Sequence, residues 1–271
     1  MNTKRYSGIQ PQYFPRLHYF ARMLNTDVFM LRDDVQFLRK HKYPDGSTDK
    51  SYQAHAPIKH ESGRRLLPVG ISHEGYTSIY DTGISREAHW RDENLKLLRE
   101  GYKNAPNFEK LQQEIKTILE KSYENLAELN ITTLIWGFLH IFDKPIDDLS
   151  LYNLKIINSI LEDQKEFRLK KILRATETEI SPKLNSMSAN EKILALMKEL
   201  NATEDYCGGT AVSAYMEHDL FKENGITTIV QDWKCREYSQ QFSKRHPFIP
   251  NLSIIDLLMN VTSQDAFRIL Q

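Results

Sequence analysis

Apolar and polar positions change along the chain in a pattern that predicts strands separated by helices. Residues 5–9 form a short run that can start a strand, and 27–31 are mostly aromatic or aliphatic, as buried strands are. Between them, apolar residues recur at helical spacing from Leu17 to Leu24. The first part of the chain therefore predicts a strand, a loop, a helix and a second strand.

The same alternation continues to the end of the chain. Segments 52–59 and 66–71 predict two strands joined by a turn at Gly63, and 87–142 is mostly helical with a break at Pro106. Further strands are predicted at 170–175, 203–207 and 226–230, and further helices at 150–164, 190–200, 252–260 and 263–270. Strands that alternate with helices indicate an α/β fold with a mainly parallel, Rossmann-like sheet and helices on both faces.

The length of 271 residues is compatible with one large domain. The helical block 87–165 interrupts the alternation of strands and helices, so it predicts a helical lobe inserted in the α/β core. Because the sequence contains no internal repeat and no low-complexity linker, we expect a single domain over 1–271 that includes this lobe.

Charge and composition narrow the classes of partner. The 36 Lys and Arg residues equal the 36 Asp and Glu residues, so the chain lacks the basic excess with which proteins engage nucleic acid. The longest apolar stretch, 131–142, is too short and too polar to span a bilayer. Two cysteines and no signal peptide predict a cytoplasmic protein. We therefore expect a small-molecule substrate, with a nucleotide-sugar as a candidate, and the oligomeric state stays open.

The loop 10–15, between the first strand and the first helix, is a candidate binding segment. A helix N-terminus offers unpaired N–H groups and a positive dipole end, which together favour anions. Gln10, Gln12, Tyr13 and His18 are the predicted substrate-binding residues of this segment. The alternative is a turn that Pro11 and Pro15 stiffen and that packs on the core.

Asp33 and Asp34 follow the second predicted strand, where open α/β sheets place ligand chemistry. Their carboxylates can take a proton from an amine or hold Mg²⁺, and Gln36 beside them can bind substrate. A turn or helix cap is the alternative role for the two aspartates. His55 is the third predicted catalytic residue, as a general base, because histidine titrates near neutral pH.

Metal and cofactor expectations follow from the same region. His41, His60 and His73 lie near His55 in the sequence, but their spacing matches no metal motif, so we predict no metal site of this kind. The cofactor is unknown from the sequence, with ATP and Mg²⁺ as candidates.

Cys207, Gly208 and Gly209 close a predicted strand and open a short helix that contains Tyr215. These four residues are predicted to contact substrate. The two glycines would let the backbone approach a ligand closely. A thiol at a helix start can act as a nucleophile, whereas a small buried apolar side chain is the more common role of an unpaired cysteine.

Four more polar or aromatic residues are predicted to bind substrate. Trp90 and Arg91 can frame a ligand by stacking and ion pairing, or can be a core residue and a surface residue. Tyr238 and Gln240 are polar positions of the C-terminal segment, in which structural roles are the alternative.

Five motifs in chain order resemble the WbqC-like family. They are Gln10-Pro11-Gln12-Tyr13-Phe14-Pro15, Asp33-Asp34-Val35-Gln36-Phe37, Trp90-Arg91 with Asn94, Tyr206-Cys207-Gly208-Gly209, and Tyr238-Ser239-Gln240 followed by Phe248-Ile249-Pro250-Asn251-Leu252-Ser253. The resemblance implies a role in polysaccharide or O-antigen biosynthesis, with glycine transfer as the associated activity. The chain departs from the family pattern at Arg16, His18, His55 and Ala56, which puts the substrate in doubt.

The leading hypothesis is an acyl or aminoacyl transferase, with glycyl as a candidate group, that forms an amide or ester on an amino-sugar or related metabolite. Such a reaction needs a base, stabilisation of an oxyanion and positioning of both substrates. The first alternative is an ATP-dependent Rossmann-like ligase or nucleotidyltransferase, and the second is a non-catalytic metabolite-binding protein of a biosynthetic complex.

Overall fold

A computed structural model describes residues 3–42, 45–72, 75–214 and 216–271 of the chain. The strands are β1 Arg5–Ile9, β2 Val28–Leu31, β3 Lys40–Lys42, β4 Thr48–Lys50, β5 His55–His60, β6 Gly63–Pro68, β7 Ile71–Ser72, β8 Gly83–Ile84, β9 Lys171–Arg174, β10 Glu204–Cys207 and β11 Thr227–Val230. The helices are α1 Leu17–Leu24, α2 His89–Tyr102, α3 Phe108–Glu120, α4 Leu126–Ile141, α5 Leu154–Asp163, α6 Ser181–Leu184, α7 Ala189–Glu199, α8 Gly209–Ala214, α9 His218–Glu223, α10 Ile254–Asn260 and α11 Ser263–Leu270.

Five strands form one parallel sheet in the order β11-β10-β1-β2-β9. The predicted α/β class with a parallel, Rossmann-like sheet is therefore confirmed, and each of its strands lies within a segment that the sequence predicts. The chain moves from β1 outward to β2 and β9, then crosses back to β10 and β11 on the other side of β1. The strand order thus reverses between β1 and β10.

Each face of the sheet carries its own apolar core, because side chains alternate along a strand. Phe29 and Leu31 of β2 pack with α1 and with the helices beyond it, including α4 and α10. Met30, on the opposite face, packs with residues of α7 such as Leu196. Helices therefore cover both faces, as the alternating pattern predicts.

The helices α2 to α5 all lie within 89–163, the region predicted as a lobe. Their buried side chains belong to the same apolar core as the α1 face of the sheet. At Gly137 of α4, a Cβ atom would meet the ring of Phe20 in α1, so these two helices cross at a close approach. The single domain over 1–271 with a lobe at 87–165 stays a prediction.

Three small antiparallel strand pairs follow β2 within the described ranges. The β5–β6 hairpin confirms the predicted strand pair, with Gly63 in the left-handed region at φ +95° where the second strand starts. The hairpins β3–β4 and β7–β8 have strands of two or three residues, which carry too few positions for a periodic pattern. Among the described residues, no helix is both long and apolar enough to cross a membrane.

Candidate functional site

The C-terminal ends of β1 and β10 meet where the strand order reverses. In open parallel sheets this position leaves a crevice, since the loops after the two strands turn toward opposite faces. Gln10 follows β1, and Gly208 and Gly209 follow β10. The sequence-predicted residues Gln10, His18, Cys207, Gly208 and Gly209 therefore lie around one end of the sheet.

His18 lies in the first turn of α1 and has a defined tautomer. Asn251 Oδ1 accepts both the backbone N–H of His18, at 2.9 Å, and a hydrogen bond from its Nδ1, at 3.1 Å. Because that oxygen only accepts, the proton lies on Nδ1 and Nε2 carries the lone pair. Burial, followed by the charges of Arg16 and Arg22, lowers the pKa of His18 well below its usual value. The imidazole is therefore neutral near pH 7.

Arg22 lies one turn further along α1 and is 8% exposed. Its side chain extends toward the N-terminus of the helix, as helical side chains do, and reaches the end of β10. Nε donates to Gln231 Oε1 at 2.8 Å. A Cβ atom at Gly208 would lie 2.6 Å from Nη2, so a larger residue there would displace the guanidinium from its present position.

Gln231 holds His18 and Arg22 together. It follows β11 directly, and its Nε2 donates to the backbone carbonyl of His18 at 2.9 Å while its Oε1 accepts from Arg22. One amide therefore fixes both the first turn of α1 and the guanidinium. We name His18, Arg22, Gly208 and Gln231 the switch-point cluster.

Two ionisable side chains of β10 lie next to the switch-point cluster on the sheet. Burial raises the pKa of the Cys207 thiol to about 12, so the thiol stays protonated at neutral pH and is a poor nucleophile. Burial also raises the pKa of Asp205 to about 7. Asp205 is therefore only partly ionised near neutral pH. The positive charge of Arg22 opposes the rise in the pKa of Asp205.

A cleft of about 320 Å³ opens on the α7 side of the sheet, above the ends of β1 and β2. Gln10, Arg32 and Lys192 are its polar lining residues, and Ile9 and Ile193 are among the apolar ones. We name it the edge cleft. Its two cations next to apolar walls suit a ligand that has both an apolar part and an anionic part.

Asp34 is paired with both cations of the edge cleft, Arg32 and Lys192. Its oxygens accept from Nε and Nη2 of Arg32 at 2.7 and 2.9 Å, and Lys192 Nζ lies 3.8 Å away. The Asp34 side chain is 5% exposed. This bidentate pair fixes the guanidinium in the cleft wall.

Asp33 is fully buried and points toward β9. One of its oxygens accepts from Arg174 Nε at 2.8 Å and from Thr176 Oγ1 at 2.7 Å, and the other accepts from the Thr176 N–H at 3.1 Å. The side chain therefore ties the end of β2 to the end of β9.

The side chains around Asp33 and Asp34 disfavour the predicted binding of Mg²⁺ to these two carboxylates. Both carboxylates face arginine side chains, so as arranged they do not fit a divalent cation, which needs carboxylate oxygens free to coordinate it. Within the described ranges, no group of three or more His, Cys, Asp or Glu residues has the arrangement of a metal site.

The loop 10–15 packs on the core, and its anion site is filled by the protein itself. The N–H groups of Leu17 and His18 at the start of α1 donate to the carbonyl of Leu252 and to Asn251 Oδ1. Gln12 and Tyr13 are buried. The C-terminal segment thus takes the place of the anion that the free helix end would favour.

Several predicted site residues lie away from the sheet end. Trp90 is buried against Gly70 in the helical region, and Arg91 donates to the carbonyls of Leu119 and Glu87. Gln36 is exposed on the segment that follows β2. Tyr215 and His73 lie outside the described residues.

Tyr238 and Gln240 belong to a buried network around Asp256. Their side chains donate to Asp256 Oδ2 at 2.6 and 2.9 Å, and Tyr102 donates to Oδ1 at 2.7 Å. Lys59 Nζ donates to Gln240 Oε1 at 3.1 Å. The network joins α2, β5, α10 and the segment that precedes α10, which supports the structural alternative for these two residues.

His55, at the start of β5, resembles His18 in its hydrogen bonding. Its Nδ1 donates to the carbonyl of Ser51 at 3.0 Å, which leaves Nε2 as the acceptor. Burial lowers the pKa of His55, and its ring is half-buried. It belongs to the hairpin region, among Asp49, Lys50 and Ser51, rather than to the switch-point cluster.

Arg22, Arg32, Lys192 and Gln231 are polar residues of the sheet end that the sequence analysis did not select. Arg22 lies in a segment whose pattern predicts an apolar, amphipathic helix. Lys192 is one of many lysines on predicted amphipathic helices, so its type and position do not distinguish it. The local signal for Arg22 was a charged residue on the buried face of α1. A buried charge without a neighbouring partner in sequence is therefore the feature that would have found it.

Comparisons with known proteins agree with the motif pattern. The sequence model of the WbqC-like protein family matches residues 10–267. An uncharacterized protein of Mycobacterium tuberculosis, Rv1507c, is 23% identical over 266 residues, which cover 96% of this chain and 95% of that protein. No solved structure matches the chain significantly. Since the family match spans nearly the whole sequence, the chain belongs to the WbqC-like protein family.

Proposed function

We propose that this protein is an acyl or aminoacyl transferase that acylates a small amine or hydroxyl acceptor at the switch-point cluster. The observation that carries the proposal is His18, a neutral imidazole whose Nδ1–H is held by Asn251. Its Nε2 has no hydrogen-bond partner among the described residues. A lone pair oriented in this way, at the end of a parallel sheet, suits a general base.

The proposed step joins an amine acceptor to an activated acyl donor such as a thioester or acyl phosphate. The acceptor nitrogen attacks the acyl carbon while Nε2 of His18 takes an N–H proton. The new C–N bond forms, the bond to the leaving group breaks, and the electron pair stays on the leaving group. The proton then passes from Nε2 to the leaving group. Asp33 and Asp34 are less suited to the base role because their oxygens already accept from arginines.

The edge cleft is the proposed place for the acyl donor. It opens at the same end of the sheet as the switch-point cluster, on the other face of β1. Arg32 is fixed by Asp34, whereas Lys192 lies at the longer distance of 3.8 Å. Lys192 is therefore the cation better placed to interact with an anionic part of the donor.

Turnover by His18→Gln tests the proposal. Activated acyl donors are incubated with amine and hydroxyl acceptors, including amino acids and amino-sugar nucleotides, and acylated product is measured by mass spectrometry. Removal of a general base typically costs about 10²–10⁴ in rate. We expect such a loss in kcat with a nearly unchanged melting temperature. Since burial lowers the pKa of His18, the acidic limb of the wild-type pH profile should lie below the usual histidine value.

His55→Gln is the matched control, because His55 has the same tautomer and a lowered pKa. It should keep wild-type turnover. Wild-type activity in His18→Gln together with a loss in His55→Gln would assign the base to His55 and refute the role of His18.

A second candidate, an ATP-dependent ligase, is favoured by the reversal of strand order between β1 and β10, where α/β proteins bind nucleotides. A ligand at about 100 times its dissociation constant stabilises the folded state by roughly 2.7 kcal/mol. A melting shift with Mg²⁺-ATP, combined with pyrophosphate release that depends on an amino acid, would favour the ligase. Lys192→Met should abolish this shift and Lys198→Met, on the exposed side of the same helix, should not.

A further inference from the structure

Arg22 is a buried cation that has no carboxylate partner among the residues that the structure describes. It is 8% exposed, and within the described ranges no Asp or Glu oxygen lies within salt-bridge distance of it. The one side-chain hydrogen bond that Arg22 makes to described residues goes to a neutral amide, that of Gln231. Buried charges are normally paired, because removal of an ion from water is costly. The guanidinium therefore has the electrostatic character of a site that receives an anion.

The geometry leaves a defined part of the guanidinium available. Gln231 occupies the Nε side, so the edge formed by Nη1 and Nη2 remains. This edge is the planar fork that matches the two oxygens of a carboxylate. Gly208 lies beside it, and any side chain there would meet Nη2.

The charges around Arg22 favour a carboxylate over a phosphate. Asp205 and Tyr206 on β10, with Cys207 beside them, are the ionisable groups that act on Arg22 from the sheet, and Tyr19 acts from α1. None of these groups is a cation, and Arg16, which acts on His18, is not among the groups that act on Arg22. One guanidinium next to acidic groups balances a single negative charge, whereas a dianionic phosphate would need further positive charge.

We propose that Arg22 binds the carboxylate of the acceptor substrate, so that the acceptor is an amino acid or a sugar acid that carries an amine or hydroxyl near its carboxylate. This inference rests on the proposed function, in which His18 takes the proton of that amine or hydroxyl. His18 and Arg22 are four residues apart on one helix face, where Cβ atoms are about 5–6 Å apart. A small molecule with the two groups a few atoms apart spans this distance.

The test is binding of simple probes at equal ionic strength, followed by thermal melts and calorimetric titration. Glycine and acetate should raise the melting temperature of the wild type, and methylamine should not. Arg22→Met should abolish the effect of both carboxylates, and Arg22→Lys should weaken it at least tenfold, because lysine lacks the fork. Arg65→Met, at an exposed arginine of β6, is the matched control and should behave as the wild type.

The melting temperature of Arg22→Met and one further variant distinguish a binding arginine from a structural one. Arg22→Met should melt at or above the wild-type temperature, because it removes an unpaired buried charge, whereas a purely structural arginine would melt lower. If Arg22→Met does not fold, Gly208→Ala displaces the fork and should cause the same loss of carboxylate binding. Glycine and acetate effects that persist in the folded variants would overturn the inference, and so would an Arg22-dependent effect of inorganic phosphate that exceeds that of acetate.

The inference and the proposed function fail in different ways. His18→Gln should bind glycine as the wild type does but lose turnover. Full turnover in His18→Gln would refute the transfer mechanism but would leave the Arg22-dependent binding of carboxylates unaffected. Loss of turnover in His18→Gln without any binding of carboxylates would refute the role of Arg22 alone.

Discussion

Replacement of Asp33 by alanine should destabilise the fold strongly, although Asp33 was predicted to be catalytic. The carboxylate is fully buried and accepts three hydrogen bonds, one from Arg174 and two from Thr176. In Asp33→Ala, Glu177 at 3.3 Å is the one counter-ion left to the guanidinium of Arg174 among the described residues, and the Glu177 side chain is 61% exposed. Breaking a buried ion pair by removing one partner costs about 3–5 kcal/mol.

The expected size of the melting shift follows from chain length. At about 2.1 cal/mol/K per residue, the unfolding entropy of 271 residues is roughly 0.6 kcal/mol/K. A loss of about 3–5 kcal/mol then lowers the melting temperature by about 5–9 °C. Thermal melts and urea unfolding measure this loss, and Asp163→Ala, at the exposed end of α5, should change the free energy of unfolding by less than about 0.5 kcal/mol.

A double-mutant cycle identifies the cause of the loss. If the unpaired cation is responsible, adding Arg174→Met to Asp33→Ala should recover part of the stability, so the two changes are not additive. A shift below about 1 kcal/mol in Asp33→Ala, or strict additivity in the double variant, would refute this account of Asp33. A stable Asp33→Ala variant without turnover would return Asp33 to a catalytic role.

Two other buried carboxylates give further predictions. Burial raises the pKa of Asp205 from 3.8 to about 7, so folding favours its protonated form. The stability that this carboxyl contributes is therefore present below about pH 4 and is lost as the pH rises through 7. In urea unfolding, the free energy of unfolding of the wild type relative to Asp205→Asn should therefore fall by up to roughly 4 kcal/mol between pH 4 and 8. A difference that does not change with pH would contradict the raised pKa of Asp205. Asp256→Asn replaces one of the two oxygens that accept from Tyr102, Tyr238 and Gln240 with an amide donor, which should cost about 1–3 kcal/mol. Adding Tyr238→Phe should restore part of that stability, and urea unfolding that shows no recovery would argue against the network.

Local patterns were sufficient to predict most of the regular elements. The sheet strand at 27–31 and the helix that begins at Leu17 follow from the residues within each segment, because periodicity and propensity act over a few neighbouring positions. The same reasoning missed β3–β4 and β7–β8, whose strands have two or three residues each. Their pairing depends on the partner strand and on the turn, so no single segment carries the signal.

The candidate site could be located from the sequence more easily than its chemistry could be assigned. Asp33 was placed correctly at the end of a buried strand, but its partner Arg174 lies 141 residues further on. Likewise the acceptor that sets the tautomer of His18 comes from Asn251, 233 residues away. The backbone of Asn251 adopts φ +56°, a left-handed conformation that asparagine tolerates.

By itself, the sequence determined the class of fold, the family and the segments that meet at the end of the sheet. Only the tertiary structure decided which polar groups there have partners and which do not. Each carboxylate, amide and guanidinium has a limited number of hydrogen-bonding positions, and distant segments fill most of them. Asp33 and Asp34 are paired with arginines for this reason, whereas Nε2 of His18 and the outer edge of Arg22 have no hydrogen-bond partner in the part of the chain that the structure describes.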